Sequence, residues 1–152
     1  MIVRLATEND LYKGLQLFDV MSKEDKFRAE MLEDIGITYD RAITEESIAM
    51  LVKNKTVFIM IKENKIIGVM AGMIARSFFS NDTLFQSYLF WVQKKHRRYV
   101  GKFIEKVDKV LKLTNISKFI MSNLDIGDYE RLNRFYAMKG FKRLESHFVR
   151  SL

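Results

Sequence analysis

The stretch Leu89-Phe90-Trp91-Val92-Gln93-Lys94-Lys95-His96-Arg97-Arg98-Tyr99-Val100-Gly101-Lys102-Phe103 passes from an apolar run, through a cationic turn, into an amphipathic segment. Its first part belongs to Thr83 to Val92, which is rich in aromatic and aliphatic residues and reads as a strand. Lys94-Lys95-His96-Arg97-Arg98 ends that strand. From Val100 the spacing predicts a helix over 100–113. Phe103, Ile104, Val107, Val110 and Leu111 define its apolar face, and Glu105, Lys106, Asp108, Lys109 and Lys112 the polar one. Lys118 to Met121 then reads as a second strand, which makes the whole a β-α-β unit.

Upstream, Thr56 to Ile61 and Lys65 to Ile74 read as strands either side of Lys62-Glu63-Asn64, a polar break of hairpin type. Gly68 and Gly72 lie within the second of them, where glycine marks a bulge or a close backbone approach. Ile2 to Ala6 is a short strand, and Thr7 can cap a helix on which Leu11, Leu15 and Phe18 recur, running to about Ser22. Residues 23–43 are weakly periodic and predict a loop with helical turns. Thr44 can cap a second helix that turns Ile48, Leu51 and Val52 inward. Downstream, Asp128 can cap a helix carrying Leu132, Phe135 and Tyr136, with Gly140 placed as its C′ residue and Phe141 to Val149 as a last strand. The order β-α-α-β-β-β-α-β-α-β predicts an α/β (α+β) domain over residues 1–152. Its sheet is mixed and mostly antiparallel, with helices on both faces.

The composition narrows the chemistry. With 152 residues, 48% hydrophobic and 30% charged, the chain suits one globular domain. It has no cysteine, so disulfides, thiolate metal sites and a cysteine nucleophile are excluded. The two histidines, His96 and His147, show no metal-ligand spacing, and no metal is expected. No apolar run approaches the roughly 18 residues of a membrane span. Met1 to Ala6 lacks the features of a signal peptide, so a cytoplasmic location is expected and no membrane partner. A net charge of +7 favours anionic partners such as a phosphorylated cofactor, an acidic surface or nucleic acid, and disfavours a polycationic substrate.

This element order, with two local patterns, resembles the GNAT superfamily of N-acetyltransferases over nearly the whole chain, most specifically from Leu89 to Phe141. The family's R/Q-x-x-G-x-G/A loop lies between a strand ending in valine and an amphipathic helix. Aligned from Val92, Arg97 takes the Arg/Gln position, and Val100 and Lys102 stand at the two glycine positions with Gly101 between them. Shifted by one, Arg98 leads, Gly101 recovers the first glycine and Phe103 replaces the second. The resemblance implies an acetyl-CoA site. A helix N-terminus presents N–H groups and a positive dipole end to a pyrophosphate, here with Arg97, Arg98, Val100, Gly101 and Lys102 around it. Backbone groups of Trp91, Val92 and Gln93 would pair with the pantetheine arm, where the sheet splays between strands ending near Val92 and Asn123.

The second pattern, Tyr136-Ala137-Met138-Lys139-Gly140-Phe141, is similar to the family's Y-x-x-x-G-F segment. There the tyrosine protonates the departing CoA thiolate, which implies Tyr136 as general acid. Tyr129 stands where the family often has an asparagine. Arg28-Ala29-Glu30 resembles, at Ala29 and Glu30, a His-Ala-Glu-Ser stretch of phage-type GNAT proteins. That makes Glu30 a candidate base acting through water, and the host cytoplasm the location if the chain is phage-encoded. Gln86 and Ser87 occupy the region where that subgroup carries a glutamate.

Each of these residues also has a plainer reading. Lys94 to Arg98 can be a solvated turn or a phosphate-contacting patch on nucleic acid. Tyr136 lies on the apolar face of its helix and can be a packing residue, and Glu30 can be a loop carboxylate. Tyr88, Phe90 and Trp91 follow strand alternation without the layout of a base-stacking platform. The expected function is acetyl transfer from acetyl-CoA to a primary amine, with a homodimer admitted as an assembly. The alternatives are a GNAT-fold binding or inhibitory module without catalysis, and a small basic nucleic-acid-binding protein.

Overall fold

The computed structural model describes residues 1–24, 33, 40–78, 80–122 and 129–143. They fall into two compact units, one built from Met1–Glu24 and Asp40–Asn123, the other from Asp25–Tyr39 and Leu124–Leu152. The first unit holds strands β1 (Ile2–Leu5), β2 (Val57–Lys62), β3 (Lys65–Arg76), β4 (Thr83–Val92) and β5 (Lys118–Met121). It also holds helices α1 (Leu11–Glu24), α2 (Arg41–Lys53) and α3 (Val100–Leu113). One sheet runs in the order β1-β2-β3-β4-β5, antiparallel throughout except for the parallel β4–β5 pair.

The β2–β3 turn forms because Glu63 and Asn64 both adopt left-handed φ angles, 51° and 58°. Paired left-handed residues give the turn hand that matches strand twist. Residues of one parity, Val57, Ile59, Val69, Ala71 and Trp91, build a buried cluster with Leu17 of α1 and Val52 of α2. On the opposite face Phe90 meets Phe103 of α3, with ring centroids 5.8 Å apart. Phe103 and Val107 are fully buried there, beside Ile104 and Leu111. Helices therefore cover both faces of the sheet.

Several sequence expectations shift. α1 centres its buried face on Leu17 and Phe18 and runs to Glu24, past Ser22. The cap of α2 is Asp40, not Thr44. Its carboxylate accepts from the Ile43 N–H at 3.1 Å, while Thr44 Oγ1 donates back to the Asp40 carbonyl at 2.7 Å. An Asp in extended conformation (φ −110°) one turn earlier satisfies the first donors, which leaves Thr44 inside the helix. Residues 41–43 are thus helical. The expected final strand, Phe141 to Val149, lies outside the described residues beyond residue 143, as does Asp128.

The first turn after β1 is held by charge. Arg4 donates two hydrogen bonds to Asp10, at 2.7 and 2.9 Å, and the Thr7 N–H and Oγ1 donate to Asp10 Oδ2 at 2.8 Å each. The Arg4 bonds, foremost, and those from Thr7 hold the Asp10 carboxyl well below the usual carboxylate range, against the opposing effect of burial. A depressed native pKa stabilises the fold above the unfolded value of about 3.9 and is lost as pH falls below it. Asp10→Ala should therefore cost about 1–2 kcal/mol at pH 7, a figure discounted because Arg4 is partly exposed. Thermal melts should show the gap between variant and wild type closing as pH is lowered below about 4. A gap that persists there would assign the loss to packing.

The second unit contains α4 (Tyr129–Met138). Its end is a Schellman motif. Gly140, at φ 83°, donates to the Ala137 carbonyl at 3.0 Å, and the Phe141 N–H donates to the Tyr136 carbonyl at 3.0 Å. The Tyr136 and Phe141 rings meet edge-on at 5.6 Å, the hydrophobic contact that accompanies this cap.

Candidate functional site

The β4–β5 pair is stitched at its start and, among the described residues, stops well short of the end of β4. At its start Ser117 Oγ donates to Asp82 Oδ1 at 2.8 Å, and the Ser117 N–H donates to the Thr83 carbonyl at 2.9 Å. Pairing then runs from Leu84↔Lys118 to Ser87↔Met121. The last links are the Ser122 N–H to the Ser87 carbonyl at 3.3 Å and Gln86 Nε2 to Ser122 Oγ at 3.4 Å. Gln86 and Ser87, which replace the family glutamate, thus serve the β4–β5 junction. Beyond it β4 continues to Val92 with no partner on that side among the described residues.

A bulge marks the same point. Ala71 pairs with Leu89 but Gly72 with Ser87, so Tyr88 is an extra residue in β4. Gly72 is required there, because a Cβ would overlap the Gln86 carbonyl oxygen. The bulge shifts the alternation, so that Phe85 and Ser87 share a face with Phe90 and Val92.

Antiparallel pairing then decides which backbone groups are free. The Gln93 N–H donates to the Ile67 carbonyl at 2.9 Å, so 67/93 is a hydrogen-bonded pair. Bonded pairs alternate, which commits Trp91 to Val69 and leaves Gly68↔Val92 and Met70↔Phe90 as the non-bonded ones. The N–H and C=O groups of Val92 and Phe90 therefore point to the open side. Of the three residues expected to lend backbone to a ligand, Val92 turns its N–H and C=O away from β3, whereas the Trp91 groups and the Gln93 N–H are committed to β3. Phe90 shares the phase of Val92, two residues back along the strand. The Trp91 ring is buried in the core, and its indole N–H has no hydrogen-bond partner among the described residues.

The cationic turn is a 3-10 helix, Lys94–Tyr99, that runs directly into α3. Its amides are partly spent. The His96 N–H donates to the Gln93 carbonyl at 2.7 Å, and the Val100 N–H turns back onto the Arg97 carbonyl. Glu24, the last residue of α1, accepts the Lys94 N–H at 2.8 Å, a contact with no signal in the sequence. Gly101 and Lys102 follow in the first turn of α3, whose N–H groups project from the helix end. Arg97, Arg98 and Lys102 are exposed around that end, and the Arg98 guanidinium lies 5.0 Å from the Tyr99 ring centroid. Small-residue access is lost at Val100 and Lys102, but cations surround the helix start, and the Val92 groups, without a partner among the described residues, lie one short turn away. These features suit an extended, amide-bearing ligand that ends in phosphates.

Tyr136 belongs to the second unit, half-buried, with its ring against Phe135 and Phe141. Glu30 lies outside the described residues. No described helix is long and apolar enough to cross a membrane.

No protein-family model matches this chain, and no curated protein matches it in sequence. Solved structures share its fold along the full length. An aminoglycoside acetyltransferase from an uncultured soil metagenomic sample superposes with a TM-score of 0.73 at 16% identity, covering 99% of this chain and 97% of that one. A GNAT family acetyltransferase from Staphylococcus aureus gives 0.68 at 17% identity, with 99% and 98% covered. A ribosomal-protein-alanine N-acetyltransferase from Brucella melitensis gives 0.71 at 12% identity, with both chains covered at 100%. The chain has the mixed α/β fold of GNAT acetyltransferases.

Proposed function

We propose that the protein is an acetyl-CoA-dependent N-acetyltransferase acting on a primary amine. The observation that carries this reading is the edge of β4 beyond Ser87, where the Val92 and Phe90 backbone groups turn away from β3 and have no partner among the described residues, directly before the cationic start of α3. An amide-bearing pantetheine arm would extend the sheet at that edge by backbone hydrogen bonds. Arg97, Lys102 and the first N–H groups of α3 would hold the pyrophosphate. A neutral amine attacks the thioester carbonyl, the C–S bond breaks, and the thiolate takes a proton. Tyr136 is the proposed donor, on the strength of its sequence pattern, and Glu30 the proposed base through water. The phage-type affinity rests on Ala29 and Glu30 alone. The net charge of +7 favours a neutral or acidic acceptor. Two of the fold's relatives act, by name, on an aminoglycoside and on a ribosomal protein.

A second reading has its own observation. Glu24 and Arg97 already engage the amides of Lys94 and Val100, which a pyrophosphate loop would otherwise present. That favours a GNAT-fold binding module without turnover.

Titration with acetyl-CoA, followed by turnover on a panel of an aminoglycoside, neutral amines and acidic peptides, separates the readings. Tyr136→Phe keeps the ring packed against Phe141 and removes only the hydroxyl. It should leave acetyl-CoA affinity unchanged and lower kcat roughly 10²-fold, the usual scale for losing a general acid. Wild-type turnover in this variant would return Tyr136 to its helix-capping role. Binding without turnover on any amine would select the module, and no binding at millimolar acetyl-CoA would sink both readings.

A further inference from the structure

On the β3 side of β4, away from the open edge, α1, the β2–β3 turn and the 3-10 helix enclose a cleft of about 460 Å³. Among the described residues its charged lining is Lys13, Lys62, Lys65 and Lys95 against one carboxylate, Glu63. Lys62 Nζ already pairs with Glu63 at 3.2 Å, so Lys13, Lys65 and Lys95 share the cleft without a further carboxylate in the described lining. His96 lines the same cleft. Its Nδ1 is shielded from solvent and has no hydrogen-bond partner among the described residues. Burial first, then Lys95, Lys62 and Arg98, hold its pKa below the ordinary histidine value, against the smaller pull of Glu63.

We propose that this cleft is a second anion site, separate from the open edge of β4, which takes one small phosphorylated molecule. The volume is that of a metabolite pocket. Lysines bind phosphate as point charges, and the described lining holds four of them. Phosphate oxygens would accept hydrogen bonds from the lysine ammonium groups and supply the counter-charge that the described lining lacks, beside the His96 ring. At this cleft the β4 backbone is tied to β3 by the Gln93 bond to Ile67, and the Val92 groups turn the other way.

Inorganic pyrophosphate is the probe, titrated calorimetrically at low salt into the full chain with and without saturating CoA. Under saturating CoA one equivalent should bind in the cleft; without CoA a second should appear at the start of α3 if that end holds a pyrophosphate, and only the second should respond to Arg97→Ala/Lys102→Ala. The Lys13→Ala/Lys65→Ala pair should weaken the cleft equivalent about tenfold or more, while Arg97→Ala/Lys102→Ala changes that one less than about twofold. Both lysines are exposed, and Lys95→Ala serves as a second variant should the pair fail to fold. The His96 ring protons should shift in NMR spectra as pyrophosphate is added. No saturable binding, loss of binding under CoA, or sensitivity to Arg97 and Lys102 in place of Lys13 and Lys65 would overturn the proposal. If acetyl-CoA does not bind, the same single equivalent, insensitive to Arg97 and Lys102, should appear in both arms, so failure of that reading and failure of this one are told apart.

Discussion

Phe103→Ala should lower stability by about 3–5 kcal/mol, the range for truncating a buried aromatic. Phe103 is fully buried on the α3 face of the sheet and packs against Phe90 at 5.8 Å. Ile104, Val107 and Leu111 share that face, and all are buried. α3 joins the sheet through few large side chains, so the cavity left by Phe103 cannot be filled by a neighbour without moving the helix. Urea denaturation followed by circular dichroism measures the loss directly, as a lower midpoint with the slope preserved. The variant should also bind acetyl-CoA less well, because Phe103 lies in the first turn of α3 and fixes where Gly101 and Lys102 stand relative to β4. A loss below about 1 kcal/mol would mean that the helix collapses onto the gap, and that its position is set elsewhere.

Arg97→Ala with Lys102→Ala should weaken acetyl-CoA binding by on the order of 2–4 kcal/mol, if each cation contacts a phosphate directly. Both side chains are exposed, so folding stability should stay within about 0.5 kcal/mol of wild type. Ionic strength provides the internal control. Wild-type affinity should fall as salt rises, and the slope should flatten in the double variant, because fewer charges are left to screen. Equal affinity and equal salt dependence in the two proteins would remove these cations from the ligand site. The open backbone of Val92 would then carry the binding alone.

Much of the fold was legible in the residues themselves. The α3 helix has the bounds its periodicity predicts, Val100 to Leu113, because its apolar and charged positions separate cleanly. β5 likewise matches Lys118 to Met121, and Gly140 takes the left-handed position that ends α4. α2 was harder, since Asp40 and Thr44 are both good caps one turn apart and only the backbone angle at Asp40 decides between them. The site was legible as a place more than as a set of atoms. The sequence locates the cationic turn after β4, but a one-residue bulge at Tyr88 and the bonding phase of β3 determine which amides face outward. Neither leaves a residue-type signature, apart from Gly72. The Glu24 contact with Lys94 spans distant parts of the chain and could not be read locally. For Tyr136 the pattern Y-x-x-x-G-F has a sufficient architectural cause in the Schellman end of α4, which is why chemistry is needed to test its second role.

The bulge at Tyr88 gives β4 two halves that keep different time. Before it, odd-numbered residues face α3. After it, even-numbered ones do, while Leu89 and Trp91 turn toward α1 and α2. Exchanging Tyr88 for another residue leaves both halves in step, since its side chain is exposed. Removing it would close the ladder: Ser87 opposite Gly72 would be followed directly by Leu89 opposite Ala71, with Phe90 and Val92 still toward α3 and Trp91 still toward α1 and α2. What would go is the local twist that an extra residue gives a strand. At this position the gene should therefore tolerate almost any codon in place of the tyrosine, and losing the codon should change the bend of β4 but not the facing of either half.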